Sequence, residues 1–168
     1  ISVLLLINKE IVMKKTIIIL TVLLFAFPTD AVAGDREDLV AAIEKRWIDT
    51  AKKQISPGDS NPAGAWLATS EGGLWQFQSP AETVTMITDS PNTLIFQPMH
   101  INVQIMGSKK DVAHAAYYLV GNIMRDGKPI VSNYRTRASE VFVKIGGKWL
   151  NSGSHYSPLY GGSGVVFE

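Results

Sequence analysis

One carboxylate in this chain is placed where it could do chemistry. Glu140 stands in the middle of the strand-like run from Tyr134 to Lys144, which meets a second run, Lys148-Trp149 through His155-Tyr156-Ser157-Pro158, at the Gly146-Gly147 turn. A carboxylate there is either a solvated edge charge or a group held inside a pocket. Withdrawn from water, a carboxylate becomes a better proton acceptor or donor near neutral pH, the raw material of general acid–base catalysis. Other chemistries find less support. His100, His114 and His155 lie on three separate runs without helical spacing or a close acidic companion, so no metal site is expected. The absence of cysteine excludes disulfides, thiolate metal sites, a cysteine nucleophile and a cysteine-linked lipid anchor. No G-x-S-x-G, Walker loop or dinucleotide fingerprint occurs, and no cofactor is expected.

The elements that must position Glu140 follow from periodicity. Asp35 to Gln54 reads as an amphipathic helix: Leu39, Val40, Ile43, Trp47 and Ala51 recur at three- and four-residue steps, with charged residues on the other side. Ser56-Pro57-Gly58-Asp59 ends it. Asn61 to Gln78 is read as a short helix and an irregular strand. Ser79-Pro80-Ala81-Glu82 is a capping box that starts a helix running through about Thr88. The period then changes to two. Strands are predicted over Thr93–Met106, Val112–Met124, Ile130–Ile145 and Lys148–Ser157, with hairpin turns at Arg125-Asp126-Gly127-Lys128 and Gly146-Gly147. Helices followed by an antiparallel meander describe an α+β domain whose sheet wraps on helices.

The bulk properties bound the rest. Met13-Lys14-Lys15, the apolar stretch Ile17 to Phe27 and the small-residue box Ala31-Val32-Ala33 read as a secretory signal. The apolar stretch is well short of the roughly 20 residues that span a bilayer, so cleavage is expected and no stable membrane anchor remains. Ile1 to Val12 are taken to precede the true start. Residues 1–33 are therefore a pre-sequence and signal peptide, and 34–168 a single domain, periplasmic or secreted from a bacterium. Taking Lys9, Lys14 and Lys15 from the 16 basic residues, and Glu10 and Asp30 from the 15 acidic ones, leaves 13 of each. With no basic excess to hold phosphates, nucleic acid is not expected as a partner.

The order of elements, the phrase Gln97-Pro98-Met99-His100-Ile101-Asn102-Val103 and the Ser139-to-Ser157 hairpin resemble the nuclear-transport-factor-2-like (NTF2-like) superfamily. The resemblance is to its SnoaL-like and DUF4440-type members and to the association domain of calmodulin-dependent kinases. It implies a cystatin-like cone in which N-terminal helices and the concave face of an antiparallel sheet enclose a pocket, the other face often packing in a homodimer. Arginines that line the cone in the kinase domain fall on Leu119, Glu140 and Tyr156 here, which puts an acidic ligand in doubt.

The set turned toward the pocket would be Tyr117, Leu119 and Gly121; Ala138, Glu140 and Phe142; Leu150, Ser154 and Tyr156. Trp47, Trp75 and Phe77 are taken as core or cavity wall. Strict alternation puts Arg135, Arg137 and His155 on the opposite face, Arg137 as a structural ion pair and His155 kept as a secondary site residue. Ketosteroid isomerases of the superfamily pair a carboxylate with a phenol that steadies an oxyanion, and Glu140 with Tyr156 or Tyr117 would be a similar pair. The expected function is an exported domain that binds a small, largely apolar ligand through Tyr117, Leu119, Glu140, Phe142, Tyr156, Trp47 and His155. The alternatives are an isomerase or dehydratase with Glu140 as general base, and a homo-oligomeric assembly module.

Overall fold

The first helix, α1 (Asp30–Lys52), carries the layer that covers the sheet. The computed structural model describes residues 30–159, with side chains from residue 34. The leader expected over residues 1–33 thus lies outside the described residues except for the backbone of its last four, which are helical. Leu39, Ile43 and Trp47 are buried, as their spacing predicts. The helix ends in a Schellman arrangement around Lys53, which takes the left-handed conformation (φ 55°) in place of the usual glycine. The Lys53 amide donates to the Thr50 carbonyl at 3.1 Å and the Gln54 amide to Asp49 at 2.9 Å. The Lys53 ammonium then donates to the Ser90 carbonyl, so the helix stop is tied to the segment entering the sheet.

The stretch from Asn61 to Gln78 departs from expectation. A single 3-10 turn (Pro57–Asp59) precedes two short strands, β1 (Ala65–Ala68) and β2 (Gln76–Gln78), and no helix forms between them. Gly64, Gly72 and Gly73, all at positive φ, break any helical period there. The second helix, α2 (Pro80–Thr88), starts at the capping box: the Glu82 amide donates to Ser79 Oγ at 3.3 Å and the Ser79 amide to Glu82 Oε2 at 2.8 Å.

The four long strands are β3 (Asn92–Met106), β4 (Val112–Arg125), β5 (Lys128–Ile145) and β6 (Lys148–Pro158). With the short pair they form one sheet in the order β2-β1-β6-β5-β4-β3, antiparallel throughout except for the parallel β1–β6 pair. Asp126-Gly127 and Gly146-Gly147 both have positive φ at their two central positions, as tight hairpins matched to strand twist require. Gly121 has a different duty. A Cβ there would overlap the Ile95 carbonyl oxygen and sit 2.9 Å from Phe96 Cα, so only hydrogen lets β3 close on β4.

Bulges decide which side chains turn inward. In β5 the irregularity comes at Asn133 (φ 55°), before Tyr134, and leaves Thr136, Ala138, Glu140 and Phe142 all buried. In β6 the pairing steps from Phe142↔Asn151 to Val141↔Gly153, which leaves Ser152 as the extra residue. Trp149 consequently joins the core cluster of Leu39, Ile43, Phe142 and their neighbours, and Leu150, expected on the pocket side, does not. No helix among the described residues is long and apolar enough to cross a membrane.

Candidate functional site

Glu140 is 0 % exposed, and the sheet builds its surroundings from small and large residues in register. Ala115 faces it on β4 and Ser154 on β6. Tyr117 and Tyr156, each opposite Ala138, reach it diagonally, a span that long aromatic side chains bridge and alanines leave room for. Tyr117 Oη donates to Oε2 at 2.8 Å, Tyr156 Oη to Oε1 at 2.6 Å and Ser154 Oγ to Oε1 at 2.9 Å. From α1, Arg46 Nη2 reaches Oε1 at 2.8 Å and Oε2 at 2.7 Å. Five hydrogen bonds thus converge on a group with about four lone-pair directions. The expected pairing of carboxylate and phenol is present in duplicate, with a cation added.

That cation is the residue sequence reasoning missed. Arg46 lies three residues after Ile43 and seven after Leu39, on the inward stripe, and this spacing was the available signal. Its guanidinium carbon is 5.3 Å from the Trp47 ring centroid and 5.6 Å from that of Phe142. Burial pulls its pKa down, but Glu140 and then the two phenols together outweigh this and hold it above the ordinary arginine value. Burial first, and the Glu140 charge second, push both phenols above the ordinary tyrosine value, so they act as neutral donors. Tyr117 Oη also accepts from Trp47 Nε1 at 3.0 Å and from Arg46 Nη2 at 3.1 Å.

Beside this network lies a cavity of about 340 Å³. Its sheet side is formed by Phe96, Leu119, Ile123, Tyr134 and Tyr156, and Trp47 closes it from α1. Phe96 stacks on Tyr134 at 4.6 Å between centroids and meets Trp47 edge-on at 5.6 Å. The lining also includes Gly64–Leu67, at and before β1, and Met86 and Ile87 of α2. Ser70, in the β1–β2 connection, hydrogen-bonds Tyr134 Oη across the cavity wall.

The expected site residues therefore divide. Trp47, Leu119 and Tyr156 line the cavity. Tyr117, Glu140 and Phe142 are buried beside it and do not line it. His155 is exposed on the outer face, 5.8 Å from the Trp75 ring centroid, and takes no part in the cavity, because strict alternation holds through that end of β6. Trp75 and Phe77, expected in the core or cavity wall, are exposed: Phe77 lies on β2, the outermost strand of the sheet, and Trp75 just before it. Arg137 makes no ion pair among the described residues, since its register partners are Tyr118 and Ser157 and neither is acidic.

No protein-family model matches the chain, and no curated protein does. Solved structures do. An NTF2-like protein with a cystatin-like fold from Novosphingobium aromaticivorans is 15% identical, over 83% of this chain and 94% of that one, with a TM-score of 0.59. A candidate dehydratase of the NTF2-like family from Streptomyces avermitilis is 20% identical, over 76% and 98%, with a TM-score of 0.57. The hub homology domain of a calmodulin-dependent kinase II from Chlamydomonas reinhardtii is 15% identical, over 74% and 98%, with a TM-score of 0.57. Identities of this size speak to architecture alone.

Proposed function

The chain has the NTF2-like, cystatin-like fold, and on that architecture we propose that it binds a small, largely apolar molecule in the cavity between its helices and the inner face of the sheet. The observation that carries this reading is the wall: Phe96, Leu119, Ile123, Tyr134 and Trp47 present apolar surface to a cavity of about 340 Å³, the usual make-up of a ligand site. Glu140 then organises the wall and moves no proton. Its oxygens are committed to four side chains, and Arg46 balances its charge. An isomerase or dehydratase would need a carboxylate with a lone pair free toward the cavity; its support is the likeness to the Streptomyces protein.

The neutral fluorophore N-phenyl-1-naphthylamine tests the binding reading. Saturable fluorescence enhancement is expected with the native protein, and its loss in Ile123→Trp, which fills the cavity from the sheet side. Failure of the native protein to bind it saturably would sink the reading.

The same proposal extends to assembly and location. Tyr118 and Val141 are exposed on the outer face of the sheet, beside the outward Arg135 and Arg137, and suit a homodimer contact. The likeness to a kinase hub domain supports self-association. Val141→Asp is expected to halve the sedimenting mass, and a native protein that sediments as a monomer at micromolar concentration would remove the dimer. Export rests on the basic start, the apolar run and the Ala31-Val32-Ala33 box. The N-terminus of protein recovered from a bacterial periplasm, expected at Gly34, checks it.

A further inference from the structure

Three polar side chains on the cavity wall have donors that nothing in the described protein uses. All the hydrogen bonds of Arg46 run through Nη2, so among the described residues its Nε and Nη1 groups have no partner, and Arg46 lines the cavity with 28 % of its side chain exposed. Thr50 follows one turn later on the same face of α1. It is 6 % exposed, and its hydroxyl makes no hydrogen bond among the described residues. Asn61 is 5 % exposed; its Oδ1 accepts from the Ala63 amide at 3.0 Å, which fixes the amide orientation and leaves Nδ2 unpartnered.

Trp149 Nε1 is, among the described residues, the one side-chain polar atom both sealed from solvent and unpartnered. The Asn61 amide and the Thr50 hydroxyl are therefore not fully sealed, and the space that their residues line is the cavity. Buried donors of this kind are costly unless something accepts from them.

Charge narrows what can accept. The Arg46 cation is already matched by Glu140. The other charged residues lining the cavity are Asp59 and Glu71, both acidic. Ser56, through its hydroxyl first and its backbone amide as well, holds the Asp59 carboxyl below the ordinary aspartate value against an opposing push from burial. Asp59 and Glu71 are both exposed, so they mark the rim, and the Arg46 cation of the inner wall is already matched. A carboxylate ligand would thus bring a charge for which the cavity wall offers no unmatched partner. A neutral carbonyl oxygen takes the same donors without that penalty.

We infer that the ligand is a neutral, apolar carbonyl compound (a ketone, lactone or amide) whose ring system lies on the Phe96–Tyr134 stack and whose oxygen accepts from Arg46, Thr50 and Asn61. This rests on the binding reading given above and names the ligand class of that same cavity.

Three probes of one skeleton test it: 2-acetylnaphthalene, 2-naphthoate, which is ionised at neutral pH, and 2-ethylnaphthalene. Displacement of N-phenyl-1-naphthylamine should rank the ketone about tenfold tighter than either of the others, the worth of one or two well-made hydrogen bonds. Thr50→Val, which is isosteric, and Asn61→Ser, whose hydroxyl can still accept from the Ala63 amide while the amide donor is gone and no charge is added, should each erase several-fold of the ketone's advantage. Both should leave 2-ethylnaphthalene unchanged. Neither substitution touches the Glu140 network, so a folded variant is expected, and each serves if the other fails to fold. Equal affinity for ketone and hydrocarbon, or tighter binding of the carboxylate, overturns the carbonyl assignment and leaves the apolar cavity standing. No binding of any probe overturns both.

Discussion

Arg46 on the first helix and Glu140 on the fifth strand, 94 residues apart in sequence, meet through a single nitrogen: Nη2 lies 2.8 Å from one carboxylate oxygen and 2.7 Å from the other. The contact joins the helical layer to the sheet at the point where both phenols and Ser154 also converge. Breaking it should be expensive. Glu140→Gln leaves the guanidinium without a counterion and offers it a donor in place of an acceptor. The expected loss is about 2–4 kcal/mol, somewhat under the usual figure for a buried pair because Arg46 retains some solvent contact. Arg46→Met should lose a similar amount, and the double variant about 1–3 kcal/mol less than the two singles combined. Denaturant unfolding of the four proteins measures this, and strict additivity would show that the pair is not coupled.

The same network sets the alkaline limit. Tyr117 and Tyr156 have folded-state pKa values above the ordinary tyrosine value, from burial first and then the Glu140 charge. A group whose folded pKa is raised contributes stability that is whole below its unfolded value, about 10 for tyrosine, and is lost as pH rises through the folded values. Stability should therefore fall from about pH 10 upward. Of the five tyrosines, these two should ionise only when the protein unfolds. Absorbance at 295 nm followed alongside circular dichroism checks the point: tyrosinate from all five while the fold is intact would contradict it.

Close approach of two strands makes a separate claim. Gly121 on β4 faces Phe96 on β3, and a methyl group there would collide with the Ile95 carbonyl oxygen and the Phe96 backbone. Neither partner is the free end of a flexible side chain, so the strands must separate. Gly121→Ala is expected to destabilise by about 2 kcal/mol or more, in the range of overpacked cores. It should also reduce affinity for any cavity ligand, because Phe96 and its stacking partner Tyr134 form part of the wall. A variant with native unfolding midpoint and native probe affinity would mean the glycine is dispensable.

How much of this could be read in the chain depends on how local the determinant is. The Ser79 capping box and the Asp126-Gly127 and Gly146-Gly147 turns act within four residues, and all three appear where the residues put them. Period-two alternation, with one face of each strand buried, places Tyr117, Leu119, Glu140 and Phe142 inward as expected. Alternation fails at Leu150 because the extra residue at Ser152 exists only in the pairing of β6 with β5, which no local pattern records. Asn61 to Gln78 was illegible for a similar reason: its two short strands hold together by pairing with each other and, through β1, with β6. Arg46 was the main omission. A charged residue on an apolar stripe reads as an exception, and its partner lies 94 residues away on another layer. The Thr50 and Asn61 donors are equally silent in sequence, since being buried and unpartnered is a property of the packed molecule.

The two phenols that contact Glu140 are not equivalent, and their removal should show it. Tyr156 Oη makes one hydrogen bond, to Oε1, where Arg46 and Ser154 also donate. Tyr156→Phe therefore leaves that oxygen still served, and a loss of about 1 kcal/mol is expected, the net worth of an ordinary hydrogen bond. Tyr117 Oη does three things: it donates to Oε2 and accepts from both Trp47 Nε1 and Arg46 Nη2. Trp47 is buried, and its indole N–H has no second acceptor among the described residues. Tyr117→Phe strands that donor and so adds a desolvation penalty to the lost bond, for about 2–4 kcal/mol in all. Unfolding midpoints of the two variants give the order directly. If Tyr156→Phe proves the more damaging, Trp47 finds another acceptor and the wall is not held through Tyr117.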